Sequence, residues 1–225
     1  MNATNLYSQI KSYSNLDETQ ICVLHKPKPN TPCINNPCSN PSQTKVVDFD
    51  KVKSIFCRLN NQPQLASVDC ITHKGDNFLF VEIKSNKNFL THQLKSSNAE
   101  AEDDEIIKSK VAGYNLKKKI SDSILICNKI SGNTNVFESI PCIYVLVTDT
   151  NTIEDPAQRF LANMNILAYN SIDIRKLTKL NKALRENLES LGYTNRYVKC
   201  SDFDDYIRNL VVSDLHSETL EYQHL

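Results

Sequence analysis

The sequence predicts an α/β domain with a central mixed β-sheet flanked by helices and further helices towards its C-terminal end. Three observations carry this expectation. Two apolar runs, 66–73 and 77–85, are joined by Lys74-Gly75-Asp76-Asn77, a tight-turn signal between two strands. A third run, "CIYVLVTD" over 142–149, is apolar enough for a buried strand. Helical periodicity recurs around these strands, over 48–60 and 171–191.

Taken in order, residues 4–14 predict a short helix and "QICVLH", 20–25, a strand. Residues 26–45 hold five of the eight prolines with many Asn and Ser, so a loop is expected there. Over 48–60, Val52, Ile55, Phe56 and Leu59 recur at helical spacing, and Asp48 or Asp50 is placed to cap the helix. The hairpin follows. Residues 86–104 are polar and end in "EAEDDE", acids that suit the start of a helix expected over 104–130, with Leu116, Ile120, Ile124 and Cys127 as its buried stripe. Asp155-Pro156 opens another helix, with a capping residue before a first-turn proline. In 171–191 the stripe is Ile174, Leu177, Leu180, Leu184, Leu188 and Leu191, and Gly192 stops the helix. A strand near 194–200 and a helix near 202–212 follow. The expected division is therefore an N-terminal segment with a Pro-, Asn- and Cys-rich loop over 1–45, an α/β domain over 46–212 and a tail over 213–225.

Composition bounds the function classes. Charged residues balance at 26 basic and 26 acidic, whereas a free-standing DNA-binding protein is usually basic. Nucleic-acid contact therefore calls for a local patch, an oligomer or a partner subunit. No apolar run approaches the roughly 20 residues that span a bilayer, and "MNATNLYSQIKSYSN" lacks a basic region followed by an apolar core. A cytoplasmic protein with reduced cysteines is expected, and Cys57, Cys70, Cys127 and Cys142 lie in apolar surroundings as small core residues.

The hairpin carries charges that an ordinary core does not call for. Residues two apart in a strand share a face, so Glu82 and Lys84 point one way, while Val81 and Ile83 point the other, into the expected core. With the turn centred on Gly75-Asp76, Asp69 falls directly across from Glu82 and Ser67 across from Lys84. Opposed Cβ atoms lie about 5 Å apart, so the two carboxylates repel. A divalent cation resolves that cost, because Mg²⁺ is commonly held by one or two carboxylates with water and substrate phosphate. Lys84 on the same face is placed to orient or deprotonate an attacking water and to stabilise developing charge. The constellation suits metal-assisted hydrolysis of a phosphodiester. The competing reading is a solvated outer face of an exposed hairpin.

These residues, Asp69 in "SVD" and Glu82 and Lys84 in "VEIK", resemble the motif of the PD-(D/E)XK, or restriction-endonuclease-like, nucleases. In order of elements the resemblance covers 48–149, and in motif residues 67–85. It implies an αβββαβ-type core and Mg²⁺- or Mn²⁺-dependent endo- or exonuclease activity on DNA or, less often, RNA. It also implies Asp69 and Glu82 as metal ligands, with the Ile83 carbonyl as a third. Val68 stands where the family often has proline, and the acid many members carry on the first helix has only Asp48 and Asp50 as candidates. Fold-level analogy extends the expectation to the effector subunit of a bacterial anti-phage or restriction system, with a regulatory or targeting protein partner or a homo-oligomer. The alternative is a catalytically inactive subunit of this fold, acting as a nucleic-acid-binding or complex-assembly module.

Further candidates are secondary. Lys117, Lys118 and Lys119 cluster on the helix after the hairpin, where one is placed to reach a phosphate, although a solvated basic face is preferred. Gln93 is a weaker substrate-binding candidate, by likeness to relatives with a Gln after the E-x-K strand. Cys22, His25, Cys33 and Cys38 have a C-x2-H-x7-C-x4-C spacing that suggests a structural zinc site, against a preferred reading of ordinary reduced thiols. His73 and His92 flank the hairpin and read as surface residues.

Overall fold

The computed structural model describes residues 1–24, 42–86, 100–148 and 171–210, without the side chains of 100–102 and 171–175. Most of the Pro-rich loop, the helix expected at Asp155-Pro156, the side chain of Ile174 and the tail 213–225 lie outside the described residues.

A six-stranded mixed sheet flanked by helices organises the chain. Its strands are β1 (Thr19–Gln20), β2 (Lys45–Asp48), β3 (Cys70–Lys74), β4 (Asn77–Lys84), β5 (Cys142–Thr148) and β6 (Asn195–Lys199), lying side by side in that order. The first four pair antiparallel, while β4–β5 and β5–β6 pair parallel. Parallel neighbours need long crossovers. Helices α4 (Glu100–Gly113) and α5 (Leu116–Ser131) lie in the first crossover, and α6 (Ser171–Glu189) lies in the second.

β4 is buried along almost its whole length, as a strand covered on both faces must be. Phe78 and Phe80 face a core shared with α1 (Ala3–Ser14), α3 (Phe49–Leu59), α5 and α6. Leu79, Val81 and Ile83 face a second core, with Ile21 and Cys22 from the short helix α2 (Ile21–Leu24) and Phe203 from α7 (Phe203–Asn209). At the margin of this layer Asp204 accepts hydrogen bonds from the Gln43 amide at 2.7 Å and the Thr44 amide at 3.1 Å, tying the lead into β2 to α7.

Several expected boundaries move, each for a local reason. The strand expected over 20–25 lasts only Thr19–Gln20, and the chain then turns helical so that Ile21 and Cys22 enter the second core. β2, not expected from the sequence, pairs Val47 with Ile71. In α3 the buried positions are Phe49, Val52, Phe56 and Cys57, and Leu59, expected in the stripe, is exposed in the last turn. Asp48 is the cap, accepting from the Lys51 amide at 3.1 Å. The single helix expected over 104–130 is two, broken at Tyr114-Asn115, where Asn115 takes φ +51°. The conformation is left-handed, and asparagine tolerates it better than most residues. In α6 Leu177, Leu180, Leu184 and Leu188 are buried as expected, and Gly192 takes φ +72° just beyond the helix.

Among the described residues, Cys57, Cys70, Cys127 and Cys142 are free thiols. Cys57, Cys70 and Cys127 are buried, while Cys142 is only partly covered.

Candidate active site

The hairpin register sets the site. Cys70 pairs with Val81 and Lys74 with Asn77, leaving Gly75-Asp76 as a two-residue turn. Gly75 takes φ +57°, which a residue without Cβ adopts at no steric cost. Extending this pairing by one step brings Asp69 opposite Glu82, although the ladder itself stops at Cys70.

The strand expected from residue 66 begins instead at Cys70, because the preceding segment is claimed by α5. Asp122 accepts from the Ala66 amide at 2.7 Å, and the Ser123 hydroxyl accepts from the Val68 amide at 3.1 Å. Ser67 therefore does not oppose Lys84 in the ladder, and its hydroxyl donates to Asp50 at 2.5 Å. Asp69 is fixed from two sides. Its carbonyl accepts from the Phe49 amide at 3.0 Å, and its carboxylate Oδ2 accepts from the Ile83 amide at 2.7 Å.

Glu82 is fully buried, so the competing expectation of a solvated hairpin face does not hold. Its Oε1 is bonded by Lys84 and, at 2.6 Å, by Lys119 from α5. Lys119 lies 3.6 Å from Asp69 Oδ1, and Lys84 lies 3.9 Å from Asp69 Oδ2. Two carboxylates and two ammonium groups thus form one closed cluster. The expected repulsion between the two carboxylates is thus opposed by two lysines of the protein itself, beside any cation the site would take. Lys84 also bonds the Ile83 carbonyl at 3.2 Å, and its ammonium lies 5.2 Å from the centroid of the Tyr114 ring.

The neutralisation is incomplete. Glu82 Oε2 is buried without a hydrogen-bond partner. Burial, then the Asp69 charge, pushes the Glu82 carboxyl up to about 7, against the opposing pull of both lysines. Burial lowers Lys84, but Glu82 and Asp69 outweigh it and hold the ammonium above its ordinary value. The Tyr144 hydroxyl on β5 is likewise buried without a partner, and burial followed by the Glu82 and Asp69 charges pushes it up. Asp50 would be raised by burial, but Lys53, Ser67 and Lys119 together hold it below its ordinary value.

A divalent cation fits the donor set. The orphaned Glu82 Oε2, the Asp69 carboxylate and the Ile83 carbonyl are all hard oxygen donors. No three His, Cys, Asp or Glu side chains converge among the described residues, so water or substrate oxygens would complete the shell.

Of the other candidates, Lys119 enters the site, Lys118 pairs instead with Asp122 at 2.6 Å, and Lys117 is exposed. Helical phase separates them, for Lys119 borders the stripe of Leu116, Ile120 and Ser123 and its two neighbours point away. Tyr114, Asp122 and Ser123 were not anticipated, and only the phase of α5 and the break before it signal them. Gln93 and His92 lie outside the described residues, as do His25, Cys33 and Cys38 of the expected zinc site; Cys22 is buried and accepts from the Ser42 amide at 3.1 Å. His73 is half-buried against Tyr7, with ring centroids 4.8 Å apart. No helix among the described residues is long and apolar enough to cross a membrane.

Comparison of the chain with protein-family models, with curated proteins and with solved structures finds no match.

Proposed function

We propose that the chain is a divalent-metal-dependent nuclease of the PD-(D/E)XK type, hydrolysing phosphodiester bonds of nucleic acid, with DNA the favoured substrate. The observation that carries this reading is the buried, unpartnered Glu82 Oε2 beside Asp69 and Lys84. Leaving a buried carboxylate oxygen unsatisfied is costly, and a bound cation removes the cost.

Asp69 and Glu82 would hold the Mg²⁺ or Mn²⁺, with the Ile83 carbonyl as a third donor. When bound, the cation supplies Lewis acidity towards the phosphoryl oxygen and lowers the pKa of a bound water. Asp69 is kept in register by the Ile83 amide, so its second oxygen is free of rotational search. Lys84 stays protonated between its two carboxylates, which favours an orienting and charge-stabilising role over that of a base. Tyr114 beside Lys84 limits where its ammonium travels.

A second reading has support of its own. The closed cluster of two acids and two lysines is also what an inactive module would keep as an internal ionic latch. In that case divalent ions leave melting unchanged. The effector role in a bacterial anti-phage or restriction system, and a regulatory protein partner, are proposals from fold analogy alone.

Incubation of the protein with supercoiled plasmid, single-stranded DNA and RNA tests the function. Cleavage of at least one under Mg²⁺ or Mn²⁺, stopped by EDTA, is expected. Intact substrates together with a melting temperature indifferent to both metals would favour the module.

A further inference from the structure

Lys119 occupies an unusual position. It reaches from α5 into the site, bonding Glu82 Oε1 at 2.6 Å and lying 3.6 Å from Asp69 Oδ1. Its charge is also felt at Asp50 on α3. The lysine therefore faces both acids of the hairpin, while Asp50 on α3 pairs with Lys53 at 2.8 Å. Lys84 has other anchors, the Ile83 carbonyl and the Tyr114 ring. The Lys119 ammonium bonds Glu82 and pairs with both carboxylates that would hold a metal.

A divalent ion added to this cluster would place two further positive charges beside two ammonium groups already matched by Asp69 and Glu82. Repulsion at such distances is large in a partly desolvated site, so one ammonium must withdraw. Lys119 is the one built to do so. It is 23% exposed, its stem is flexible, and it comes from a different element.

We propose that Lys119 is the resident counter-ion of the Asp69–Glu82 pair, that it yields its place to the divalent cation, and that it then binds a phosphate oxygen of the nucleic acid. This rests on the metal-site reading given above and adds to it a residue that reports whether the site is loaded. Phosphate suits the displaced group, because an ammonium that loses a carboxylate partner keeps its strength only by finding another anion. One lysine thus serves the empty site as a neutralising group and the loaded site as a substrate-binding one.

Titration calorimetry with MnCl₂ on the full chain tests this, comparing the parent with Lys119→Met, Lys119→Gln and Glu82→Gln. Removing the competing ammonium is expected to tighten Mn²⁺ binding in both Lys119 variants, on the order of tenfold. A gain in affinity cannot come from a damaged fold, and two variants guard against one failing to fold. Both are also expected to show a raised KM for a short oligonucleotide, with kcat changed less. If Glu82→Gln abolishes Mn²⁺ binding while the Lys119 variants bind it no more tightly than the parent, the role of Lys119 is overturned and the metal site stands. If the parent binds no Mn²⁺, or binds it equally after Glu82→Gln, both fall.

Discussion

At Glu82 the cost of the site is concentrated in one carboxyl group. It is fully buried and carries a pKa raised from 4.5 to about 7, a difference worth roughly 3 kcal/mol. The sign follows from linkage. Below the unfolded value the group is protonated in both states and its contribution is fully present. As pH rises towards 7 the unfolded chain ionises first and stability falls. Denaturant unfolding between pH 5 and 8 is therefore expected to show a loss of stability that Glu82→Gln lacks and that Mn²⁺ reduces. Equal pH slopes for parent and variant would contradict this. Asp69, Glu82 and Lys84 were legible in the sequence because a two-residue turn fixes cross-strand register by counting alone. The burial of Glu82 and the arrival of Lys119 were not, since both depend on how α5 docks on the sheet. Helical phase did contain the choice of Lys119 over Lys117 and Lys118.

Among the elements, α5 does most to shape the site, because its Asp122 and Ser123 take the backbone of 66–68 away from the hairpin ladder. Ser123→Ala removes the acceptor of the buried Val68 amide, and its expected cost is about 1–3 kcal/mol in urea unfolding. Cleavage is expected to fall with it, through misplacement of Asp69. An unchanged midpoint would show that the anchor is idle. Removal of the α3 cap by Asp48→Ala is expected to cost about 1 kcal/mol, with the site intact. The long elements were readable from periodicity: the leucine stripe of α6 and the apolar runs of β4 and β5 appear where expected. Short elements were not. β2 has only four residues, and α2 turns helical to bury Ile21 and Cys22, a tertiary preference that outweighs local strand propensity.

For the whole molecule, the sheet changes character at β4, antiparallel on the β3 side and parallel on the β5 side. The acids and lysines gather where β4 ends, at the carboxyl end of a parallel pair, the place where α/β sheets commonly bind ligands. A mixed sheet flanked by helices was foreseeable from the order of strands and helices. Substrate and partner were not, because they depend on surfaces, and balanced charge names none of them. The most direct test of the central claim is cleavage of nucleic acid under Mn²⁺ by the parent and by Lys84→Ala, with unfolding measured on both. A nuclease site predicts that the variant stays folded and loses at least about a hundredfold in rate, the scale of one lost electrostatic group in a preorganised site. A folded Lys84→Ala protein that cuts as fast as the parent would contradict it.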